Sequence, residues 1–111
     1  MICSMNDYVS KEIYRDNNPE SARSLRVSLH DGQLYMLEHD VGPLVERFCG
    51  NPDYERFISH VPAYELKKAL GASSDEDLID KISEKFGENS GFDGFATFMR
   101  DNGIKFEYGS Y

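Results

Sequence analysis

At 111 residues the chain has room for one domain with a single core, and 40% apolar residues, including seven Phe and seven Tyr, are enough to build it. No apolar run approaches the ~20 residues of a membrane span. The formal net charge of −8 falls wholly outside residues 1–28, where Asp7, Glu12, Asp16 and Glu20 balance Lys11, Arg15, Arg23 and Arg26. An acidic body repels phosphate backbones and attracts basic surfaces, which argues against nucleic acid as a direct ligand.

The opening MICSMNDYVSKEIYRD has neither the basic start nor the apolar block of a secretory leader, so a cytoplasmic protein is expected, with residues 1–8 a loose N-terminus to a single domain over 1–111. Cys3 and Cys49 lack metal-binding spacing and read as reduced thiols. The segment YVSKEIYRD can form an edge strand, and NNPES after it is a loop. LRVSLHDGQLYMLE then carries the strongest local signal. Asp31-Gly32 suits a two-residue type I′ turn, in which both central residues need positive φ. Folding about it pairs Leu29 with Leu34, Val27 with Met36 and Leu25 with Glu38. One face collects Leu25, Val27, Leu29, Leu34 and Met36, and the other sets Arg26 and Ser28 against Tyr35 and Leu37.

A helix over 43–49 follows, with Pro43 in its first turn, Leu44, Val45 and Phe48 on one face, and Gly50 as its stop. Asp40 just upstream is placed to cap or favour its positive end. DYERFISHV supplies a strand over 54–61, and VPAYELKKALG a helix over 62–70. SSDEDLIDKISEKFG predicts a helix over 74–86, with Ser73 and Glu76 as a capping box and Leu78, Ile79, Ile82 and Phe86 as its apolar stripe. SGFDGFATFMRDNG predicts another over 91–102, capped by Ser90 and closed by Gly103, with Phe92, Phe95, Ala96 and Met99 facing inward. IKFEYGSY ends the chain as an alternating strand. The expected fold is α+β: an antiparallel sheet with a central Asp-Gly hairpin and a C-terminal strand, covered by about four helices.

No catalytic constellation emerges. The three histidines, His30, His39 and His60, include no helical pair at i, i+4. His39-Asp40 invites comparison with metal-dependent hydrolases, but a lone dipeptide ahead of Gly-Pro is better read as helix-start chemistry. Cys49 at a helix end reads as packed, and no nucleophile elbow or phosphate-cradling loop occurs. The expectation is therefore of a protein with no catalytic residue, cofactor or metal. What remains is surface. Asp77, Asp80, Glu84 and Glu88 recur opposite the apolar stripe of the 74–86 helix, flanked by Lys81 and Lys85, as an acidic ridge suited either to solvation or to docking a basic partner.

Residues 29–70 and 91–111 resemble small bacterial proteins with an H/Q-D-x-G-P-x-V-E-x-F-x-G motif, a D-Y-E triplet and a G-I-x-[YF]-E-[YF] ending. Here these are His39, Asp40, Gly42, Pro43, Val45, Glu46, Phe48 and Gly50, then Asp53, Tyr54 and Glu55, then Gly103, Ile104, Phe106, Glu107 and Tyr108. The resemblance covers residues ~20–111 and is to small acidic immunity proteins of polymorphic-toxin and contact-dependent growth inhibition systems. It implies a non-enzymatic inhibitor of a cognate basic toxin, a nuclease in the first instance, that occludes the active site or substrate groove. The residues expected to meet the toxin are Asp77, Asp80, Glu84 and Glu88, and secondarily Asp53, Tyr54, Glu55, Glu107, Tyr108 and Tyr111. A phage or mobile-element anti-defence protein would share the acidic signature. A small hydrolase built on His39, Asp40 and Glu46 is the third reading.

Overall fold

The computed structural model describes residues 9–50 and 53–110. The expected loose stretch 1–8, with Cys3, and the C-terminal Tyr111 lie outside the described residues, as does the side chain of Cys49. In chain order the elements are β1 (Val9–Asp16), β2 (Ala22–His30), β3 (Gln33–Val41), α1 (Pro43–Cys49), β4 (Asp53–Pro62), α2 (Ala63–Leu70), α3 (Asp75–Phe86), α4 (Gly91–Asp101) and β5 (Glu107–Ser110). The five strands make one antiparallel sheet in the order β1-β2-β3-β4-β5, so the fold is α+β. Among the described residues no helix is long and apolar enough to cross a membrane.

The central hairpin has the register expected from its turn: Leu29 faces Leu34, Val27 faces Met36 and Leu25 faces Glu38. Asp31 (φ 53°) and Gly32 (φ 74°) both occupy the left-handed region that a type I′ turn demands. From β2 and β3, Leu25, Val27, Leu29, Leu34 and Met36 enter the core, joined by Ile58 and Val61 of β4. Buried side chains of α2, α3 and α4 complete that same cluster, so these three helices cover one face of the sheet. Phe86 of α3 meets Phe95 and Phe98 of α4 edge-on, at centroid distances of 5.2 and 5.6 Å. Tyr35, Leu37 and Phe57, on the opposite sheet face, belong to no part of this cluster.

Several local details differ from the sequence expectation. The β4 strand does not alternate strictly: His60 sits at φ 59° and the β3–β4 register shifts between Leu34 and Met36, which lets both Ile58 and Val61 face the core. The cap of α3 is Ser74, not Ser73, and its side chain accepts from the Asp77 N–H. Asp77 rather than Glu76 reciprocates, accepting from the Ser73 N–H at 2.9 Å. Ser90 precedes α4 without a side-chain cap bond. Among the described C-terminal residues only Glu107–Ser110 pair as a strand; Ile104 is instead buried in the core and Phe106 packs against it. Among the described side chains of α1 only Val45 is buried, and Phe48 is 79% exposed.

Candidate functional site

The sheet brings together two sequence motifs that are separated along the chain by α1. In the β3–β4 ladder His39 faces Glu55, Asp40 faces Tyr54 and Val41 faces Asp53. The His-Asp pair and the Asp-Tyr-Glu triplet are therefore neighbours at one corner of the sheet, closed by α1. Because side chains alternate along a strand, the corner has two chemistries, one on each face.

On the helix-covered side lies a buried ion network. Glu38 and Asp40 continue the inward phase of Leu34 and Met36 and are 2% and 8% exposed. Arg23 donates from Nε and Nη2 to the two Asp40 carboxylate oxygens, both at 2.8 Å. Its Nη1 lies 3.3 Å from Glu38 and also donates to the Asn89 carbonyl at 3.0 Å. Arg56 forks onto Glu38 at 2.8 and 3.0 Å and reaches Asp93 on α4 at 3.1 Å. Its guanidinium carbon lies 4.4 Å from the centroid of the Phe92 ring. Carboxylates and guanidinium groups thus alternate from Asp40 through Arg23, Glu38 and Arg56 to Asp93. The Asp40 bonds hold the Arg23 guanidinium above its ordinary pKa against the opposing effect of burial, and the Glu38 bonds do the same for Arg56.

This overturns the helix-start role expected for Asp40. Its carboxylate is committed to Arg23, and the residue at the α1 N-cap is Gly42, with no side-chain cap bond. The α1 N-terminus is satisfied from elsewhere: the Leu44 N–H donates to the Glu20 carbonyl at 3.0 Å. That contact requires glycine at 42. Its φ is 143°, and a Cβ there would stand 2.4 Å from the Glu20 oxygen.

On the other side, His39 Nε2 lies 2.8 Å from Asp53 Oδ1. Val41 is 38% exposed, and the exposed ring of Phe48 stands on α1, which packs against β3 and β4. Leu37 and Phe57 face each other across β3 and β4. The Phe57 ring lies over Gly109 of β5, where a Cβ would come within 2.3 Å of it. Lys and Arg are absent from β3 and β5, and the single arginine of β4, Arg56, points to the core side. Asp53 and Glu55 therefore share this face with apolar side chains and histidine. On the neighbouring β1–β2 half, Arg15 is forked onto Glu12 at 2.7 to 3.2 Å, and the exposed Arg26 faces Leu37 across β2 and β3.

The residues expected to dock a partner do not form one surface. Asp77, Asp80 and Glu84 lie on α3, which packs over β1 and β2, whereas Asp53, Tyr54, Glu55, Glu107 and Tyr108 lie on β4 and β5 at the other side of the sheet. The α3 set is also not a continuous ridge. Asp77 is held by Ser73 and Lys81, and Asp80 reaches Lys11 of β1 at 3.5 Å. Glu88 lies beyond the helix end, in a turn where its N–H donates to the Phe86 carbonyl. At the far edge, Glu107 lies 3.4 Å from His60, and the half-exposed Tyr108 meets Phe92 edge-on at 6.1 Å. Tyr54 is half-buried.

Sequence reasoning missed Glu38, Arg23 and Arg56 as a network. The signal was available in the strand phase, since Arg23 shares the phase of Leu25 and Val27, and Arg56 that of Ile58. Among the described residues no group of three or more His, Cys, Asp or Glu is placed to hold a metal ion. Compared with protein-family models, curated proteins and solved structures, the chain finds no match.

Proposed function

We propose that the chain is a non-enzymatic immunity protein of the cytoplasm that captures a cognate basic toxin, a nuclease in the first instance, and blocks its active site or substrate groove. The observation that supports this reading is the charge balance of the whole chain, twenty Asp and Glu against twelve Lys and Arg. Lys11, Arg15, Arg23, Arg56, Lys67 and Lys81 each lie within ion-pair distance of a carboxylate of the same chain, and Arg26, Arg47, Lys68, Lys85, Arg100 and Lys105 meet none at that distance among the described residues. Glu46, Glu55, Glu65, Glu76, Glu84, Glu88 and Asp101 meet no Lys or Arg at that distance among the described residues. Pairing within the chain leaves the net charge unchanged, so an excess of −8 meets any approaching partner. Such a field accelerates encounter with a basic protein and disfavours nucleic acid.

The test is co-purification with, and inhibition of, the toxin domain encoded beside the gene. Association should slow steeply as salt rises from low to physiological levels, because the Debye length shrinks to about 8 Å. Capture that is indifferent to salt, or a toxin left fully active by stoichiometric amounts of this chain, would remove the basis of the proposal.

A further inference from the structure

We infer that the partner docks on the β3–β5 half of the sheet face opposite α2, α3 and α4, and that the complementary surface is an apolar centre ringed by arginine and lysine. This rests on the proposed capture of a basic protein and adds which surface performs it. Leu37 and Phe57, both half-buried, provide an apolar centre by facing each other across the ladder. Val41 continues it along β3, and α1, which packs against β3 and β4, carries the exposed Phe48. Asp53 and Glu55 supply negative charge on the same face, where β3, β4 and β5 project no Lys or Arg and the exposed Arg26 of β2, opposite Leu37, bounds the patch. Buried apolar contact at the centre with charge around it is the arrangement that gives an interface both affinity and rapid encounter.

Charge selects the occupant. A second copy of this chain would bring its own net −8 against the same carboxylates, and a nucleic acid would bring phosphate. A cationic protein surface is the one that gains from both features. On α3 two of the acids lie beside lysines, Asp77 by Lys81 and Asp80 by Lys11, whereas β3, β4 and β5 bring no lysine to Asp53 and Glu55.

A short synthetic peptide of alternating arginine and leucine is the first probe, titrated at low salt into isotope-labelled full chain and followed by amide NMR. Shifts should concentrate in residues 35–41 and 53–57. Asp53→Asn with Glu55→Gln should weaken the peptide about threefold or more, as expected for loss of exposed charge contacts, while Asp80→Asn with Glu84→Gln should change it less than about twofold. Phe48→Ser should weaken it without lowering the melting temperature, since that ring is not part of the core. Shifts centred on α3, or affinity untouched by the Asp53 and Glu55 changes, would overturn the inference. The second probe is an inactivated form of the neighbouring toxin domain. Displacement of the peptide by that domain supports this face. Capture of the toxin without displacing the peptide, and with no sensitivity to the Asp53 and Glu55 changes, overturns the face but leaves the immunity reading standing. Failure to capture the toxin at all overturns both.

Discussion

Replacing Glu38 by Gln tests whether the buried ion network carries the weight its geometry implies. The change keeps the side-chain volume but removes the charge that Arg56 grips with two bonds and that Arg23 approaches at 3.3 Å. Hydrogen bonds to a charged group contribute about 1.5–3 kcal/mol, and stranding a buried charge costs about 3–5 kcal/mol. Here the loss is limited, because Arg56 keeps Asp93 and the Phe92 ring while Arg23 keeps both oxygens of Asp40. A destabilisation of about 2–3 kcal/mol follows, which for a domain of this size lowers Tm by on the order of 10 °C. Thermal and urea unfolding would measure it. Changing Glu38 and Arg56 together to apolar residues of similar volume should recover much of the loss, since a buried pair is costly mainly when broken on one side. A Glu38→Gln variant melting within about 2 °C of the wild type would refute the reasoning. The carboxylate would then be solvated well enough to need neither arginine.

Asp40→Ala should cost about 2–4 kcal/mol through the stranded Arg23 guanidinium, and Arg23→Met should offset part of it; equal losses in both Arg23 backgrounds, read from urea curves, would restore a capping role. Gly42→Ala should destabilise by about 2–4 kcal/mol, from a positive φ and a clash with the Glu20 carbonyl, and would show as a lower urea midpoint. Gly32→Val should cost about 1–3 kcal/mol at the hairpin turn, and an unchanged melting curve would contradict the type I′ geometry. Asp77 and Glu12 titrate below their ordinary values of 3.8 and 4.5, held down first by the Ser73 N–H and by the Arg15 bonds respectively. Their contribution is therefore complete above those values and is lost as pH falls through the lower folded-state values. Asp77→Asn should flatten that acid limb, and an unchanged slope of stability against pH would count against the Ser73 contact.

Much of the scaffold was determined by the sequence alone, because its causes are local. Asp31-Gly32 dictates the turn, the turn dictates the register, and alternation then sends Leu25, Val27, Leu29, Leu34 and Met36 to one face. Helix lengths likewise follow from Pro43 and Gly50 and from the spacing of Leu78, Ile82 and Phe86, with stop signals a few residues away. The corner was decided by tertiary structure. A carboxylate beside Gly-Pro has the same local preference whether it caps a helix or meets an arginine, and only the β2–β3 pairing brings Arg23 to Asp40. Only α4 lying over the sheet brings Asp93 to Arg56. Whether the acids of α3 form a ridge also depended on a non-local fact, the placement of Lys11 on β1 beside Asp80. Helical phase places side chains on a face, but the neighbouring element determines whether their charge is compensated there.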